Sequence, residues 1–247
     1  MIQDLHSHTY YSFCGEDAPE EIVEAAIAGG IEVLGISDHN YGIINARKDI
    51  YKYADEDLSH TAGRTLARYL DHIRLIRDRY ADKIRILCGI EVATTTSNRR
   101  LLLPDDADIS AFDYCLVENL DAPTSVLGGD LFAFAERAGC PVGVAHTDLL
   151  GFLERRGEDA YTYFRQMAER GIFWEMNVSY DSIHKWYEHP YMLRFFEDAE
   201  QQALVRESGL RLSVGFDGHR VGDYLPTRVS DYCRRITEMG IKLAFED

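Results

Sequence analysis

Short runs of consecutive apolar residues alternate with longer amphipathic stretches along the whole chain, a pattern of strands and helices taking turns. The strand-like runs are Gln3 to His8, Val33 to His39, Ile84 to Ala93, Asp113 to Glu118, Val142 to His146, Phe173 to Val178 and Leu212 to Asp217. Between them the apolar positions take a helical period. One predicted helix opens at Pro19, presents Ile22, Val23, Ala26 and Ile27 on one face, and stops at Gly29-Gly30. Proline suits a first helical turn and glycine suits the stop. Further helices are predicted from about Gly63 to Tyr80, Gly129 to Ala138, Asp159 to Arg170, Pro190 to Ser208 and Thr227 to Met239.

Strands separated by helices pair in parallel, because each connection must cross over a face of the sheet. The segments "VLGIS", "VGVA" and "LSVGF" are apolar on consecutive positions, as strands covered on both faces should be. A closed barrel and an open doubly wound sheet both satisfy these rules. The polar residues separate them. Histidine or carboxylate groups end five of the seven runs: His6 and His8, then Asp38 and His39, Glu91, His146, and finally Asp217 with His219. An open sheet would spread such groups along an edge, whereas the C-terminal mouth of a parallel barrel gathers them. The expected architecture is an α/β, TIM-like barrel of seven strands.

Composition narrows the class. With 46% hydrophobic and 28% charged residues the chain reads as a water-soluble globular protein, and 247 residues suit one barrel domain spanning 1–247. No run of about eighteen apolar residues is present, so no membrane span is expected. The first residues carry neither a basic segment nor an apolar stretch of the secretory kind, which points to the cytoplasm. The net charge of −16 argues against nucleic acid, whose phosphates demand a basic stripe, and for a small substrate. The five cysteines include no C-x-x-C pair, so no thiol-based structural zinc site or redox motif is expected. Cys88, Cys115 and Cys140 lie in or beside strand-like runs and read as small buried apolar residues. Oligomeric state has no sequence signature here.

Side chains two apart on a strand share a face, so His6 and His8 point the same way. Imidazoles mixed with carboxylates suit zinc, manganese or iron better than calcium or magnesium, which prefer oxygen shells. His60, His72, His184 and His189 fall in helices or loops and read as surface or capping histidines.

The segments "DLHSHT", "ISDHN", "CGIEVA", "GVAHTD" and "SVGFDGHR" resemble, in order, the motifs of the PHP family of polymerase-associated and histidinol phosphatase domains. The resemblance runs from residue 4 to residue 220. It implies a distorted seven-stranded barrel holding one to three divalent ions. By that resemblance His6, His8, Glu91 and Asp217 match a first metal position, Glu91 and His146 part of a second, and His39 and His219 part of a third. Two positions depart from the family pattern. Cys14 stands where a histidine or aspartate is usual, with Glu16 and Asp17 nearby as alternatives, and Glu118 or Asn119 stands near a usual histidine after the fourth strand.

The family resemblance also implies phosphate ester hydrolysis, a reaction in which paired ions clamp the phosphoryl oxygens and acidify a water. Asp38 or His39 is then expected to orient the nucleophile or move a proton. Arg220, Arg99, Arg100 and Lys185 are candidate phosphate contacts, since cations near the mouth offset the anion, and Asn177 is expected to face the site. The leading expectation is a phosphatase for a small phosphomonoester of the histidinol phosphate kind. The alternatives are a phosphodiesterase or nuclease, an amidohydrolase-like activity, and a metal-binding module that has lost catalysis. The tyrosine-rich stretch from Tyr41 to Thr61 is a candidate cover for the mouth.

Overall fold

Seven strands pair side by side in chain order, all parallel: β1 (Gln3–Asp4), β2 (Val33–Ile36), β3 (Arg85–Ala93), β4 (Tyr114–Glu118), β5 (Val142–Val144), β6 (Phe173–Asn177) and β7 (Leu212–Gly215). The structure is a computed structural model and is described for residues 1–45, 59–96, 101–128, 130–179 and 188–246. Backbone bonds join the last strand to the first. The Leu5 amide donates to the Val214 carbonyl (2.9 Å), the Asp217 amide to the His6 carbonyl (2.7 Å) and the His8 amide to the Gly218 carbonyl (2.9 Å). The sheet therefore curls into a TIM-like barrel, as expected from the polar strand ends.

The helices of the described residues are α1 (Pro19–Ala28), α2 (Asn40–Asn45), α3 (Ser59–Arg79), α4 (Leu131–Ala138), α5 (Leu149–Arg156), α6 (Ala160–Glu169), α7 (Pro190–Glu197), α8 (Ala199–Ser208) and α9 (Pro226–Glu238). None is long and apolar enough to cross a membrane. The helix expected over Pro190 to Ser208 is two helices. Asp198 leaves the helical region (φ −104°, ψ 104°), and its carboxylate accepts from the amides of Glu200 and Gln201. A short polar side chain that satisfies two free N–H groups makes a new helix start cheaper than continuation. Neither α2 nor α5 was expected from the sequence, although α5 carries ordinary signals, an Asp148 cap and a left-handed Gly157 stop.

Strand side chains alternate between two cores. Leu34 and Ile36, Cys88 and Ile90, Cys115 and Val117, and Trp174 and Met176 point outward into the layer shared with the helices. Leu5, Val33, Leu87, Tyr114, Leu116 and Phe173 fill the lower barrel interior. By the same period of two, the next inward positions toward the C-terminal mouth are Glu91 on β3, Glu118 on β4, and Glu175 with Asn177 on β6. An apolar plug thus carries a layer of polar groups above it.

Tyr114 spans the two layers. Its hydroxyl donates to the Leu5 carbonyl at 2.6 Å, and Gly35 leaves the room: a Cβ there would lie 2.0 Å from the Tyr114 oxygen. Tyr114→Phe is expected to destabilise by about 1–2 kcal/mol through the lost buried bond, and Gly35→Ala by roughly 1–3 kcal/mol through overpacking. The double variant should lose less than the sum, because phenylalanine removes the nearest of the colliding atoms, leaving only the milder approaches to Leu5 Cα and the residue 114 ring at 2.9 Å. Urea unfolding of the three variants measures this, and strict additivity would contradict the packing described.

Candidate metal centre

The ends of the strands carry the polar layer, and several adopt costly backbone conformations to do so. Asn119 after β4 (φ 60°), His146 after β5 (φ 25°) and Asp217 after β7 (φ 57°) are non-glycine residues at positive φ. Such geometry costs on the order of 1 kcal/mol or more each and persists where the surroundings fix it. Two of the three are held by identifiable bonds. The Asp217 amide is tied to His6 across the barrel seam, and the His146 amide donates to Glu175 Oε2 at 2.7 Å.

These turns bring separate strand ends into one cluster. His6 Nε2 and His8 Nε2 lie 3.1 Å apart. Asp217 Oδ1 is 3.0 Å from His8 Nε2 and 3.6 Å from His6 Nε2. Glu91 stands in the middle. Its Oε1 lies 3.0 Å from His146 Nε2 and 3.4 Å from His6 Nε2, while its Oε2 lies 2.7 Å from His39 Nδ1 and 3.5 Å from His8 Nε2. Glu118 Oε1 is 3.7 Å from His39 Nδ1, and His219 Nε2 is 3.7 Å from Asp217 Oδ1. The ring of His8 stacks between those of His39 (4.5 Å) and His219 (4.6 Å).

Below the cluster lies Glu175, a residue the sequence reading passed over. Its Oε1 is 2.7 Å from His6 Nδ1, so that nitrogen carries a proton and Nε2 is the ring atom turned toward the cluster, free to act as a ligand once a bound cation displaces its proton. A carboxylate behind an imidazole is the usual device for orienting a metal-binding histidine. Gly215 makes the contact possible, since a Cβ there would sit 2.1 Å from Glu175 Oε1 and 2.6 Å from His6 Cβ.

The electrostatics show what the cluster lacks. Burial opposes charge on His6, yet Glu175, Asp217 and Glu91 outweigh it and hold the His6 pKa well above its ordinary value. For His39, burial is likewise overcome, chiefly by Glu91 and Cys14. Burial, reinforced by positive charge on His39, pushes His8 down to about 3. Burial also opposes the charge on Glu91, but His39 and His6 hold its pKa well below the usual carboxylate range. Protons on His6 and His39 therefore serve as counter-charges for the buried carboxylates. Even so, His39 Nδ1 and Glu91 Oε2 are buried without a hydrogen-bond partner among the described residues, despite their 2.7 Å approach. Burying such groups is expensive unless something satisfies them. Three sets bring their donor atoms within 4.8 Å of one another: His6, His8 and Asp217; His39, Glu91 and Glu118; and His8, Cys14 and His39. Mixed imidazole and carboxylate donors with unsatisfied buried atoms fit divalent cations.

A PHP domain family model matches residues 4–219. The chain belongs to the PHP-domain family. Among solved structures, histidinol phosphate phosphatase from Lactococcus lactis, crystallised with zinc, L-histidinol and phosphate, is similar with a TM-score of 0.58 at 16% identity, over 98% of this chain and 95% of that one. A putative histidinol phosphatase from Listeria monocytogenes is similar with a TM-score of 0.48 at 17% identity, over 90% of this chain and 96% of that one. No curated protein matches the sequence. At these identities the likeness concerns the fold.

In this PHP domain a cavity of about 310 Å³ opens above the cluster, with Cys14, His39, Glu91, Glu118, His146, Asp217 and His219 in its wall. Asp38, expected as a catalytic group, is elsewhere. Its carboxylate is fully buried and accepts from the amide and hydroxyl of both Thr9 and Ser12, at 2.7–3.0 Å. The residue clamps the turn after β1 and is not in the wall of this cavity. Asn177, expected to meet substrate, lies beneath the cluster, its amide donating to Glu175 and Asp217 at 3.3 Å each. Glu16 and Arg220 pair with each other at 2.9 Å with both side chains substantially exposed, and neither is in the wall of this cavity. Arg99, Arg100 and Lys185 lie outside the described residues, as does most of the candidate cover from Tyr41 to Thr61. His189, read from sequence as a surface or capping histidine, stands at the N-cap position of α7 without a side-chain cap bond, and its ring also lines the cavity, stacked 6.1 Å from that of His146.

Glu175→Gln keeps the shape but weakens the acceptor behind His6. It is expected to reduce zinc affinity by about 10–100-fold and to lower the melting temperature of the metal-free protein, because both Glu175 oxygens accept and a carboxamide accepts at only one. Competition with a chromophoric chelator reads the affinity, and an unchanged value would remove Glu175 from the site.

Proposed function

We propose that this protein is a divalent-metal-dependent phosphatase acting on small phosphate monoesters of the histidinol phosphate kind. The observation that carries the reading is the convergence of buried imidazoles and carboxylates from six strand ends on one cavity. His6, His8 and Asp217 would hold one ion, with Glu91 reaching it. Glu91 would share its other oxygen with a second ion beside His39 and Glu118, and His146 approaches the first oxygen. The donor chemistry is that of zinc, manganese or iron. Divalent ions bound there would offset the phosphate charge and lower the pKa of a water toward about 7.

The chain's own groups supply the rest. Glu175 fixes the tautomer of His6, and Asn177 holds Asp217 in register. No lysine or arginine lines the cavity among the described residues, so the anion's oxygens would meet bound cations and the N–H groups of His146 and His189. Phe13 and Tyr41 form an aromatic wall, Tyr41 stacking on His39 at 4.5 Å, suited to the apolar or planar part of an alcohol. The −16 charge weighs against a nucleic-acid diester, because steering of a polyanion requires the opposite sign.

Chelated protein reloaded with zinc, manganese or iron(II) should hydrolyse p-nitrophenyl phosphate and histidinol phosphate, with little action on the bis-p-nitrophenyl diester. His8→Ala should fall to the background rate and retain less metal. Preferential diester cleavage would favour the nuclease-type alternative, and metal-loaded protein inert toward all three substrates would remove the enzymatic reading.

A further inference from the structure

Ser12 lies behind His8, outside the wall of the cavity, and both side chains are buried, as is that of Asp38. The Ser12 Oγ is 3.2 Å from His8 Nδ1, donates to Asp38 Oδ1 at 2.7 Å and accepts from the His39 amide at 2.9 Å. A hydroxyl has one hydrogen to give and two lone pairs to accept with. The Asp38 carboxylate can only accept, and it already takes both donors of Thr9 and the Ser12 amide. The Ser12 hydrogen therefore goes to Asp38, which leaves the two lone pairs for the His39 amide and for His8. His8 Nδ1 must then be a donor. The other ring nitrogen, Nε2, is the one directed at the cluster, 3.0 Å from Asp217, 3.1 Å from His6 and 3.5 Å from Glu91.

The turn allows Ser12 little freedom. Its amide also donates to the Thr9 carbonyl at 2.9 Å. A Cβ on Gly15 would lie 2.1 Å from that carbonyl oxygen, and a Cβ on Gly42 of α2 would lie 2.9 Å from Ser12 Cα. The turn is thus packed against itself on one side and against α2 on the other, so the hydroxyl stays where it meets the imidazole.

We propose that Ser12 is a positioning residue whose hydroxyl, held by Asp38, fixes His8 in the tautomer that offers Nε2 to the cluster and ties the backbone of His39 to the same oxygen. The proposal rests on the divalent-metal reading above and gives Asp38 an indirect part in it, through Ser12. One hydroxyl then places a residue from each of two donor sets, since His8 stands with His6 and Asp217, and His39 with Glu91 and Glu118. It also grades the imidazoles. His6 is backed by the carboxylate of Glu175 and His8 by a neutral hydroxyl, and a charged acceptor makes the stronger bond. His6 is accordingly the more basic of the two ligands.

Nuclear magnetic resonance of zinc-loaded protein, with its histidine ring nitrogens isotopically labelled, tests this without reference to turnover. His8 is expected to show a slowly exchanging proton on Nδ1, with a nuclear Overhauser contact to Ser12, and a zinc-bound Nε2. Ser12→Ala should speed the exchange of that proton and lower zinc affinity by about tenfold, read by competition with a chelator. Ser12→Thr keeps the hydroxyl and should restore both. A wild-type His8 with no proton on Nδ1, or with zinc bound through Nδ1, would overturn the proposal and leave the metal reading standing. Unchanged affinity in Ser12→Ala would do the same, and an equal loss in Ser12→Thr would assign the effect to packing and reject the hydroxyl's role. No zinc binding by the wild type would overturn both readings. Should the variants fold poorly, the wild-type spectrum decides alone.

Discussion

The hydrogen bond from the Asp217 amide to the His6 carbonyl, 2.7 Å long, ties the last strand of the barrel to the first. The two residues it joins are also two of the residues whose side chains meet above it. Closure and site assembly are therefore the same event: without the β7 to β1 seam, His6 and His8 would lie at one edge of a sheet and Asp217 and His219 at the other. A curled parallel sheet brings its C-terminal strand ends together, and the left-handed turns at His146 and Asp217 aim the final side chains inward.

The interior is divided because each level has a different requirement. Leu5, Val33, Leu87 and Phe173 exclude water from the lower barrel, which raises the cost of any charge placed above them. Glu91, Glu118, Asp217 and Glu175 are nonetheless buried there among five imidazoles. Protonated His6 and His39 offset part of that negative charge in the metal-free protein. Divalent cations would do so more completely and would displace those protons. On this view the chain tolerates an expensive arrangement of buried charge because it completes a binding site.

Most of the fold was legible because β2 to β7 are covered on both faces and so read as largely apolar runs. His6 and His8 were legible by their spacing of two, and Glu91, His146 and Asp217 by their position where such runs stop. The failures have specific causes. Asp38 and His39 are adjacent on an extended chain, so their side chains diverge and only His39 faces the cavity. Glu175 was hidden inside the run "FWEMN", although the alternation Phe173, Glu175, Asn177 already marks an inward carboxylate. His189 stands just before Pro190, where the local signal is only a helix start, and its place beside His146 comes from tertiary packing. Arg220 follows the last motif directly, and its pairing with Glu16, remote in sequence, is invisible to any local pattern.

The most direct test is diffraction from zinc-soaked crystals, with data collected on both sides of the zinc absorption edge. The account predicts anomalous peaks inside the barrel mouth, one between His6, His8 and Asp217 and another on the opposite side of Glu91 toward His39 and Glu118. Zinc found only at the protein surface, with these side chains hydrogen-bonded to one another and to water, would contradict it.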